Sequence, residues 1–178
     1  MPTNFLVTGP PRSGKTTVLQ RVRERVTATA GGVLAPERRV DGERTGFDLV
    51  DVYTEDSVQM AHVDRESGPG VGKYRVDVPA VDRIASRAFS HAGVDYYLID
   101  EIAPMEIHSD TFVRRVREVL DGDVPVVAAV HYRADTGFPA EVRNKSDATL
   151  FDLTDESVAA VTKDVVDSIA TADSGGHE

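Results

Sequence analysis

The segment GPPRSGKTT combines glycine, lysine and hydroxyl side chains at spacings that suit a triphosphate. Gly9, Gly14, Lys15 and Thr16 complete the pattern G-x-x-x-x-G-K-[ST] directly after a short apolar run. Glycines let backbone N–H groups turn toward a phosphate, and the start of a helix adds its positive dipole end. Lys15 supplies a charge to the β- and γ-phosphates, and the hydroxyl of Thr16 is a Mg²⁺ ligand. The predicted nucleotide-binding segment, which we call the phosphate loop, comprises Gly9, Pro10, Pro11, Arg12, Ser13, Gly14, Lys15, Thr16 and Thr17.

Two adjacent acids, Asp100 and Glu101, follow the apolar run YYLI and predict the catalytic half of the same site. An acid at the carboxyl end of a parallel strand faces the crevice in which such sheets bind ligands. Asp100 suits the second protein ligand of Mg²⁺, through a water molecule, and Glu101 suits the base that orients an attacking water. The alternative is that both acids begin a solvated loop. Beside a phosphate loop, the pair favours hydrolysis, with Lys15 and Glu101 as the catalytic residues.

Transfer of the phosphoryl group to a second substrate would need more than these two acids. A kinase also requires a pocket and a basic lid for its acceptor. The sequence contains no compact arginine-rich segment of this kind, although Arg38, Arg39 and Arg44 could form one. Two alternatives therefore stay open: a phosphotransferase acting on a nucleoside, nucleotide or small metabolite, and a nucleotide-dependent switch that a partner reads.

Three side chains are candidate sensors of the γ-phosphate. His131 ends the apolar run 124–131, where a capping role is equally consistent with its position. Arg133 and Arg143 could supply positive charge to the transition state, the role known as an arginine finger. The other histidines show no metal-ligand spacing and the chain has no cysteine, so neither a zinc site nor a disulfide is predicted.

Two segments imitate nucleotide motifs. NKSD, residues 144–147, matches the N-K-x-D with which many GTPases read guanine, but it follows the polar stretch FPAEVR instead of an apolar strand. GPGVGKY, residues 68–74, resembles a second phosphate loop, but Ser67 replaces the first glycine and Tyr74 follows the lysine. Guanine recognition is therefore disfavoured, and the second segment is interpreted as a turn.

The composition limits the partners. The chain of 178 residues carries a net charge of −10, with 19 Asp, 11 Glu, 16 Arg and only 4 Lys, which argues against nucleic acid as a partner. An acidic, lysine-poor surface keeps a protein soluble at molar salt, so we expect a halophilic protein; an ordinary acidic protein is the alternative. The free energy of unfolding measured against salt concentration separates the two. The N-terminal apolar run FLV is too short for a signal or membrane segment, so we expect a cytoplasmic protein.

The elements that must position these residues alternate between apolar strands and amphipathic helices. This alternation predicts βαβ units and a mainly parallel sheet covered by helices on both faces. The section 33–78 breaks the alternation and is predicted to form an antiparallel extension. A helix over residues 15–29 is expected to end at Gly31-Gly32. The expected boundaries are 1–170 for a single α/β domain and 171–178 for a disordered tail.

Five segments, taken in order, resemble the thermophile-type nucleoside-triphosphatase family, which includes the human cancer-related nucleoside-triphosphatase. They are FLVTGPPRSGKTT, RTGFDLVD, GKY, YYLIDEIAPMEIHS and PVVAAVH. The resemblance covers about residues 3–170, and IDEIAPME is its most specific part. It implies a P-loop NTPase fold, RecA-like and three-layered. It also implies slow, Mg²⁺-dependent hydrolysis of several nucleoside triphosphates to diphosphate and phosphate.

The resemblance also assigns residues by position. Asp100 and Glu101 match the metal acid and the catalytic acid, and Met105-Glu106 match a signature without an assigned role. Relatives commonly have glycine at the position of Arg12, and often at that of Ala103. Arg12 is therefore either a tolerated departure or an additional charge facing the phosphates.

Overall fold

The computed structural model describes residues 3–133 and 135–174 of the chain. These residues form one ten-stranded sheet with α-helices packed against it. The strands are, in chain order, β1 (Asn4–Thr8), β2 (Ala30–Leu34), β3 (Glu37–Val40), β4 (Glu43–Asp51), β5 (Ser57–His62), β6 (Gly70–Val71), β7 (Tyr74–Val76), β8 (Tyr96–Ile102), β9 (Val126–Val130) and β10 (Ala148–Asp152). The helices are α1 (Lys15–Arg25), α2 (Val78–Ala88), α3 (Asp110–Leu120), α4 (Gly137–Arg143) and α5 (Val158–Ser174), with a short 3-10 helix at Glu106–His108.

The parallel half of the sheet has the strand order β10-β1-β9-β8-β2, and every neighbouring pair in it is parallel. Strands β1 and β9 are buried along their whole length, because helices cover both faces of this half. β9 lies between β1 and β8, so the loop after β1 and the acids of β8 are one strand apart. The predicted three-layer α/β fold is confirmed.

Two apolar clusters hold the helices against the sheet. On one face, Val18 of α1 and Val161 of α5 belong to the cluster that contains Leu98 of β8. On the other face, Ile84 of α2 and Phe112 of α3 belong to the second cluster. All five side chains are almost completely buried, so the phosphate-loop end of the sheet rests on a closely packed core.

Side-chain caps determine where α2 and α3 begin. The carboxylate of Asp77 accepts the backbone N–H of Ala80 at 3.1 Å, and Pro79 fits the first turn, where its missing N–H costs nothing. The hydroxyl of Ser109 accepts the backbone N–H of Phe112 at 3.0 Å. Both helices therefore start immediately after a polar residue, as helix-capping preferences predict.

The antiparallel extension begins where β4 pairs with β2. β5 pairs with β4, β7 pairs with β5, and β6 closes a hairpin with β7, while β3 pairs with the other end of β4. Every residue of β3 is exposed. The predicted antiparallel extension is thus present, as one wall of the molecule beyond the parallel half.

The boundary between α1 and the extension differs from the prediction. α1 ends at Arg25, and Gly31-Gly32, which were expected to end the helix, lie inside β2. Gly32 has a φ of 102°, and a Cβ atom there would lie 1.9 Å from the carbonyl oxygen of Leu98 on β8. Glycine therefore lets β2 approach β8 closely, and a close approach leaves the same sequence signal as a helix end.

Two further boundaries differ from the sequence-based expectations. α4 was not predicted, because its sequence is short and carries no clear apolar periodicity. α5 continues to Ser174, so the disordered tail expected over 171–178 is wrong for 171–174, and residues 175–178 lie outside the described part of the chain. Among the helices of the described residues, none has the length and apolar character needed to cross a membrane.

Candidate functional site

The phosphate loop joins β1 to α1 at the carboxyl edge of the parallel half. Gly14 is the cap of α1 and has a φ of 107°; no side chain caps the helix, and its first turn holds no acid. The first N–H groups of a helix have no partner within the helix, and its dipole favours an anion there. The start of α1 is therefore suited to a phosphate group.

Glycine at both ends of the phosphate loop avoids close contacts with neighbouring side chains. A Cβ atom at Gly14 would lie 2.6 Å from Cγ2 of Val158, and one at Gly9 would lie 2.4 Å from Oγ of Ser13. Oγ of Ser13 is buried and has no hydrogen-bond partner among the described residues. A buried hydroxyl without a partner costs free energy unless a ligand satisfies it, and an oxygen-rich ligand would do so here.

Arg12 has a left-handed backbone, with a φ of 66°. This conformation costs a residue other than glycine about 1 kcal/mol, which gives a physical reason for glycine at this position in the family that the sequence resembles. The side chain of Arg12 is exposed and lines the cleft beside the loop. Arg12 thus carries a backbone cost and places a positive charge at the wall of the cleft.

Asp100 and Glu101 lie at the carboxyl end of β8, where the ladder to β9 shifts register between Ile99 and Ile102. Such irregularities redirect side chains and are frequent next to active sites. Oε2 of Glu101 lies 2.9 Å from Nζ of Lys15, so the predicted base and the predicted phosphate-binding lysine are in contact. The fold therefore brings together catalytic candidates that are 86 positions apart in the sequence.

Asp100 has an environment that favours a bound cation. Only 6% of its surface is exposed, and its pKa is raised from 3.8 to about 6, chiefly by burial. The neighbouring charge of Glu101 contributes to this rise, whereas the hydrogen bond with Thr16 and the charge of Lys15 oppose it. The hydroxyl of Thr16 and the carboxylate of Asp100 are hard oxygen donors of the type that Mg²⁺ prefers, so the residues present fit this ion.

The remaining Mg²⁺ ligands would have to come from outside the protein. In the parts of the chain that the structure describes, there is no group of three or more His, Cys, Asp or Glu side chains that could hold a metal ion. A Mg²⁺ ion at Thr16 and Asp100 would therefore take its other ligands from phosphate oxygens and water, the usual arrangement for this ion in nucleotide sites.

Glu106 is a site residue to which sequence reasoning assigned no role. It is 3% exposed, lines the cleft, and its Oε2 has no hydrogen-bond partner among the described residues. Burial raises its pKa well above the usual value, and the charges of Glu101 and Asp100 add to this effect. The signal available in the sequence was an acid between two apolar residues, Met105 and Ile107.

A cleft of about 870 Å³ opens beside the phosphate loop and continues to the antiparallel extension. Its near side is lined by Arg12, Lys15, Thr16, Asp100, Glu101 and His131. Its far side is lined by Arg39, Arg44, Phe47, Met60, Val71 and Lys73. Among the described residues, none from β10 or α5 lines it, so the cleft extends from β1 toward the extension only.

The three predicted sensors occupy different positions. His131 directly follows β9 and lines the cleft, and its backbone N–H donates to the carbonyl of Ile102 at 3.1 Å. Arg143 instead donates from Nη1 to the backbone carbonyl of Tyr132 at 3.1 Å. Neither Arg143 nor the exposed Arg133 is part of the cleft wall. Of the three candidates, the structure brings His131 to the site.

The segment NKSD lies at the amino end of the parallel strands, whereas the phosphate loop lies at their carboxyl end. It ends immediately before Ala148, which pairs with Asn4, the first residue of β1. The length of β1, roughly 17 Å, therefore separates this segment from the loop. Lys145 is also engaged, in an ion pair with Asp121 at 2.8 Å. This placement agrees with the sequence-based view that the segment does not read guanine.

The segment GPGVGKY contains the β6–β7 hairpin, in which Val71 pairs with Tyr74 across a two-residue turn. The turn predicted there is confirmed. Its second residue, Lys73, lines the far side of the cleft, which the sequence did not indicate.

Comparison with known proteins agrees with this geometry. A family model described as NTPase matches residues 4–166. The chain is 42% identical over 132 residues to the nucleoside-triphosphatase THEP1 of Methanothermobacter thermautotrophicus, covering 71% of this chain and 75% of that protein. The crystal structure of THEP1 from the hyperthermophile Aquifex aeolicus superimposes with a TM-score of 0.76 at 28% identity, covering 93% of this chain and 98% of that one.

A solution structure extends the comparison beyond THEP1 proteins. The structure of a human cancer-related nucleoside triphosphatase superimposes with a TM-score of 0.78 at 27% identity, covering 94% of this chain and 97% of that one. The fold of this chain is thus shared with THEP1 and with the human nucleoside triphosphatase. We conclude that the chain belongs to the NTPase family defined by the matching model, together with the THEP1 nucleoside-triphosphatases.

Proposed function

We propose that this protein hydrolyses nucleoside triphosphates to the diphosphate and phosphate, with Mg²⁺ as cofactor and with little discrimination between bases. The observation that carries the proposal is the 2.9 Å contact between Lys15 and Glu101, beside the buried Asp100 and the start of α1. A phosphate-binding cation, a base and a metal-binding acid then lie at one edge of the sheet. Family membership supports hydrolysis of nucleoside triphosphates.

The proposed mechanism begins with competition for Lys15. A triphosphate carries several negative charges, so it competes with Glu101 for the ammonium group of Lys15. Once Lys15 is bound to the phosphates, the carboxylate of Glu101 is free to orient a water molecule. The water oxygen attacks the γ-phosphorus, its proton passes to Glu101, and the bond to the β–γ bridging oxygen breaks. Backbone N–H groups of the phosphate loop hold the leaving diphosphate.

Thr16 and Asp100 would hold the Mg²⁺ ion. When bound, Mg²⁺ supplies positive charge to the β- and γ-phosphate oxygens. The pKa of Asp100, near 6 because of burial, leaves the carboxylate largely ionised at neutral pH and able to bind a cation. The hydroxyl of Thr16 lies near enough to lower the pKa of this carboxylate, so both donors are available to one ion.

The position of the NKSD segment supports broad base specificity. The guanine-reading motif of many GTPases must lie next to the nucleotide. Residues 144–147 instead lie at the amino end of the parallel strands, away from the phosphate loop. We therefore infer that binding depends on the phosphates and that ATP, GTP and other triphosphates are all substrates. Similar kcat/KM values for several triphosphates would support this inference, and strong preference for one base would contradict it.

We further propose that residues 1–170 act as a single nucleotide-binding domain in a cytoplasmic, salt-adapted protein. The acidic, lysine-poor composition supports the salt adaptation. Nucleoside triphosphates are the proposed partners, and nucleic acid is disfavoured by the same negative charge.

Lys15→Ala tests the proposed function. We expect this variant to lose nucleotide affinity and to lose turnover by at least about a hundredfold, because Lys15 contacts the phosphates in both the bound and transition states. Lys163→Ala is the matched control, since Lys163 lies on α5 in an exposed pair with Asp167. Phosphate and diphosphate are quantified with Mg²⁺ and each of several triphosphates. Turnover within threefold of the parent in Lys15→Ala would remove the phosphate loop from the mechanism.

A further inference from the structure

The far half of the cleft has no role in the proposed hydrolysis. We call it the distal pocket. It is lined by Arg39, Arg44, Phe47, Met60, Val71 and Lys73. All six residues come from the antiparallel extension, on β3, β4, β5, β6 and the turn before β7. The distal pocket is continuous with the space beside Glu101, so a molecule bound there would lie next to the reacting groups.

The charge of the distal pocket is positive, although the protein as a whole carries −10. Glu37 also lines this region and accepts hydrogen bonds from Arg39 Nη2 at 3.0 Å and Arg44 Nη1 at 3.2 Å. One carboxylate is therefore shared between two guanidinium groups. Lys73 adds a third cation, and it forms no ion pair with a carboxylate of residues 3–133 or 135–174. This excess of positive charge favours an anionic ligand.

Arg44 is held in place before any ligand binds. Its Nε donates to the hydroxyl of Tyr74 at 2.8 Å, and its guanidinium carbon lies 5.4 Å from the centre of the Phe47 ring. A guanidinium group fixed by such contacts loses little conformational entropy when it binds an anion. The ring of Phe47 is half-buried, so one part of it packs in the core and another part faces the cleft.

The location of the distal pocket separates it from the nucleoside. In-line attack requires the nucleophile and the leaving diphosphate to lie on opposite sides of the γ-phosphorus. Glu101 marks the side of the nucleophile. From β1, the strands continue through β9, β8 and β2 to β4, β5 and β7, so the distal pocket lies beyond Glu101 on that same side. With Glu101 orienting the attacking water as proposed, the triphosphate's own base would lie outside the distal pocket.

We propose that the distal pocket binds a second ligand, a phosphomonoester with a planar or apolar group, and that this ligand regulates hydrolysis. Arg39, Arg44 and Lys73 would bind its phosphate, and Phe47 and Val71 would contact its apolar part. The ligand would occupy the approach of water to Glu101 and would therefore lower turnover. The regulatory readout rests on the proposed hydrolysis, whereas the binding readout does not.

The test uses nucleoside monophosphates as probes, with inorganic phosphate in a parallel series. Phosphate release is measured against triphosphate concentration at several probe concentrations. We expect the monophosphates to lower kcat and to leave KM unchanged, because they do not compete with the triphosphate. Inorganic phosphate is expected to inhibit about tenfold more weakly, because it lacks the part that contacts Phe47 and Val71. Inhibition that raises KM alone would contradict the proposal.

Substitutions in the distal pocket, compared with neighbouring control substitutions, show where the inhibiting probe binds. Arg39→Gln and Lys73→Gln should each raise the half-inhibitory concentration of the probe about tenfold, because each removes a charged contact to the phosphate. Arg38→Gln and Arg75→Gln are the controls, since these neighbours on β3 and β7 do not line the cleft. The two control variants should keep the uninhibited turnover of the parent. Equal inhibition in the distal-pocket and control variants would overturn the proposal.

A binding experiment separates this inference from the proposed function. Calorimetry is performed with the parent saturated with Mg²⁺ and a non-hydrolysable triphosphate analogue, so the phosphate loop is already occupied. Binding of a nucleoside monophosphate that weakens about tenfold in Lys73→Gln would support the distal pocket even if no hydrolysis were detected. Absence of binding under these conditions would overturn the inference and leave the hydrolysis proposal intact.

Discussion

The parallel half and the exposed β3–β4 edge of the antiparallel extension are stabilised by different interactions. Every residue of β1 and β9 is buried, whereas every residue of β3 is exposed. β3 and β4 are linked by charged pairs, such as Glu37 with Arg44 at 3.2 Å and Arg38 with Asp48. Burial of one large apolar side chain contributes roughly 1.5–3 kcal/mol, while an exposed ion pair contributes at most about 1 kcal/mol.

The catalytic candidates and the proposed ligand-binding surface of the cleft therefore stand on different parts of the sheet. The phosphate loop and the paired acids stand on the parallel half, where close packing fixes the distances that catalysis needs. The charged residues of the distal pocket stand on the extension and are exposed, so substituting one of them is expected to cost little stability. We expect substitutions in the parallel half to change folding and turnover, and substitutions in the extension to change the response to a second ligand.

The largest expected contrast is between two glycines with positive φ. Gly32→Ala should lower the free energy of unfolding by more than about 3 kcal/mol, because its Cβ would overlap the Leu98 carbonyl of β8. Gly42→Ala, in the turn between β3 and β4, meets no atom within 4 Å and should cost about 1 kcal/mol from its backbone alone. Urea unfolding, or soluble yield if Gly32→Ala does not fold, measures both. Equal losses of unfolding free energy at the two positions would contradict this expected contrast.

A second prediction concerns the cost of the buried acid in the parallel half. The pKa of Asp100 rises from 3.8 to about 6, so the folded state binds this proton more tightly than the unfolded state. The stability that the proton on Asp100 contributes is therefore lost as the pH rises from about 4 to about 6. Above that window, the full free-energy cost of burying the charged carboxylate applies. Asp100→Asn should stabilise the protein in EDTA at pH 8 by at most about 3 kcal/mol, with a smaller gain at pH 5.

The same variant should lose Mg²⁺-dependent turnover, because the carboxylate that binds the cation is gone. Asp48→Asn is the control, since Asp48 lies on the extension and pairs with Arg38 at the surface. Unfolding followed by circular dichroism at both pH values provides the measurement. A gain in stability that is the same at pH 5 and pH 8 would show that the charge of Asp100 is not its source.

The smallest expected effect is at Arg12. Arg12→Gly should raise the free energy of unfolding by up to about 1 kcal/mol, because glycine adopts its φ of 66° without steric cost. We expect turnover to change less than threefold, since Arg12 lies at the exposed side of the loop. Denaturant unfolding and steady-state kinetics test the two parts. A loss of nucleotide affinity by a factor of ten or more would show that Arg12 binds the phosphates.

The sequence was most informative where local pattern and chemistry coincide. The phosphate loop has a fixed spacing, and Asp100-Glu101 follow a continuous apolar strand, so both could be placed at one edge of a parallel sheet. The cap at Ser109 could also be recognised, because a polar residue precedes an apolar helical period. These features depend on neighbours in the chain, which is why a single sequence reveals them.

Features that depend on contacts between distant parts of the chain could not be predicted from the sequence. Gly32 appeared to end a helix, because nothing local indicates that β2 approaches the backbone of β8. Lys73 appeared to be only part of a turn, and its position in the cleft follows from the pairing of β7 with β5. Glu106 gave only a weak signal, because burial of an acid depends on the packing of the whole β8 region. The surroundings of these residues are set by tertiary structure alone.

The central claim is that the acid beside Lys15 activates water, and Glu101→Gln tests this claim most directly. Glutamine keeps the size of the side chain and removes the base, so kcat should fall by about a thousandfold. Affinity for a non-hydrolysable triphosphate analogue should stay equal or increase, because Lys15 loses its ion pair with Glu101 and becomes free for the phosphates. Glu118→Gln, on the exposed side of α3, is the control and should match the parent. Turnover of Glu101→Gln within about tenfold of the parent would contradict the account, because general-base catalysis typically contributes more than that.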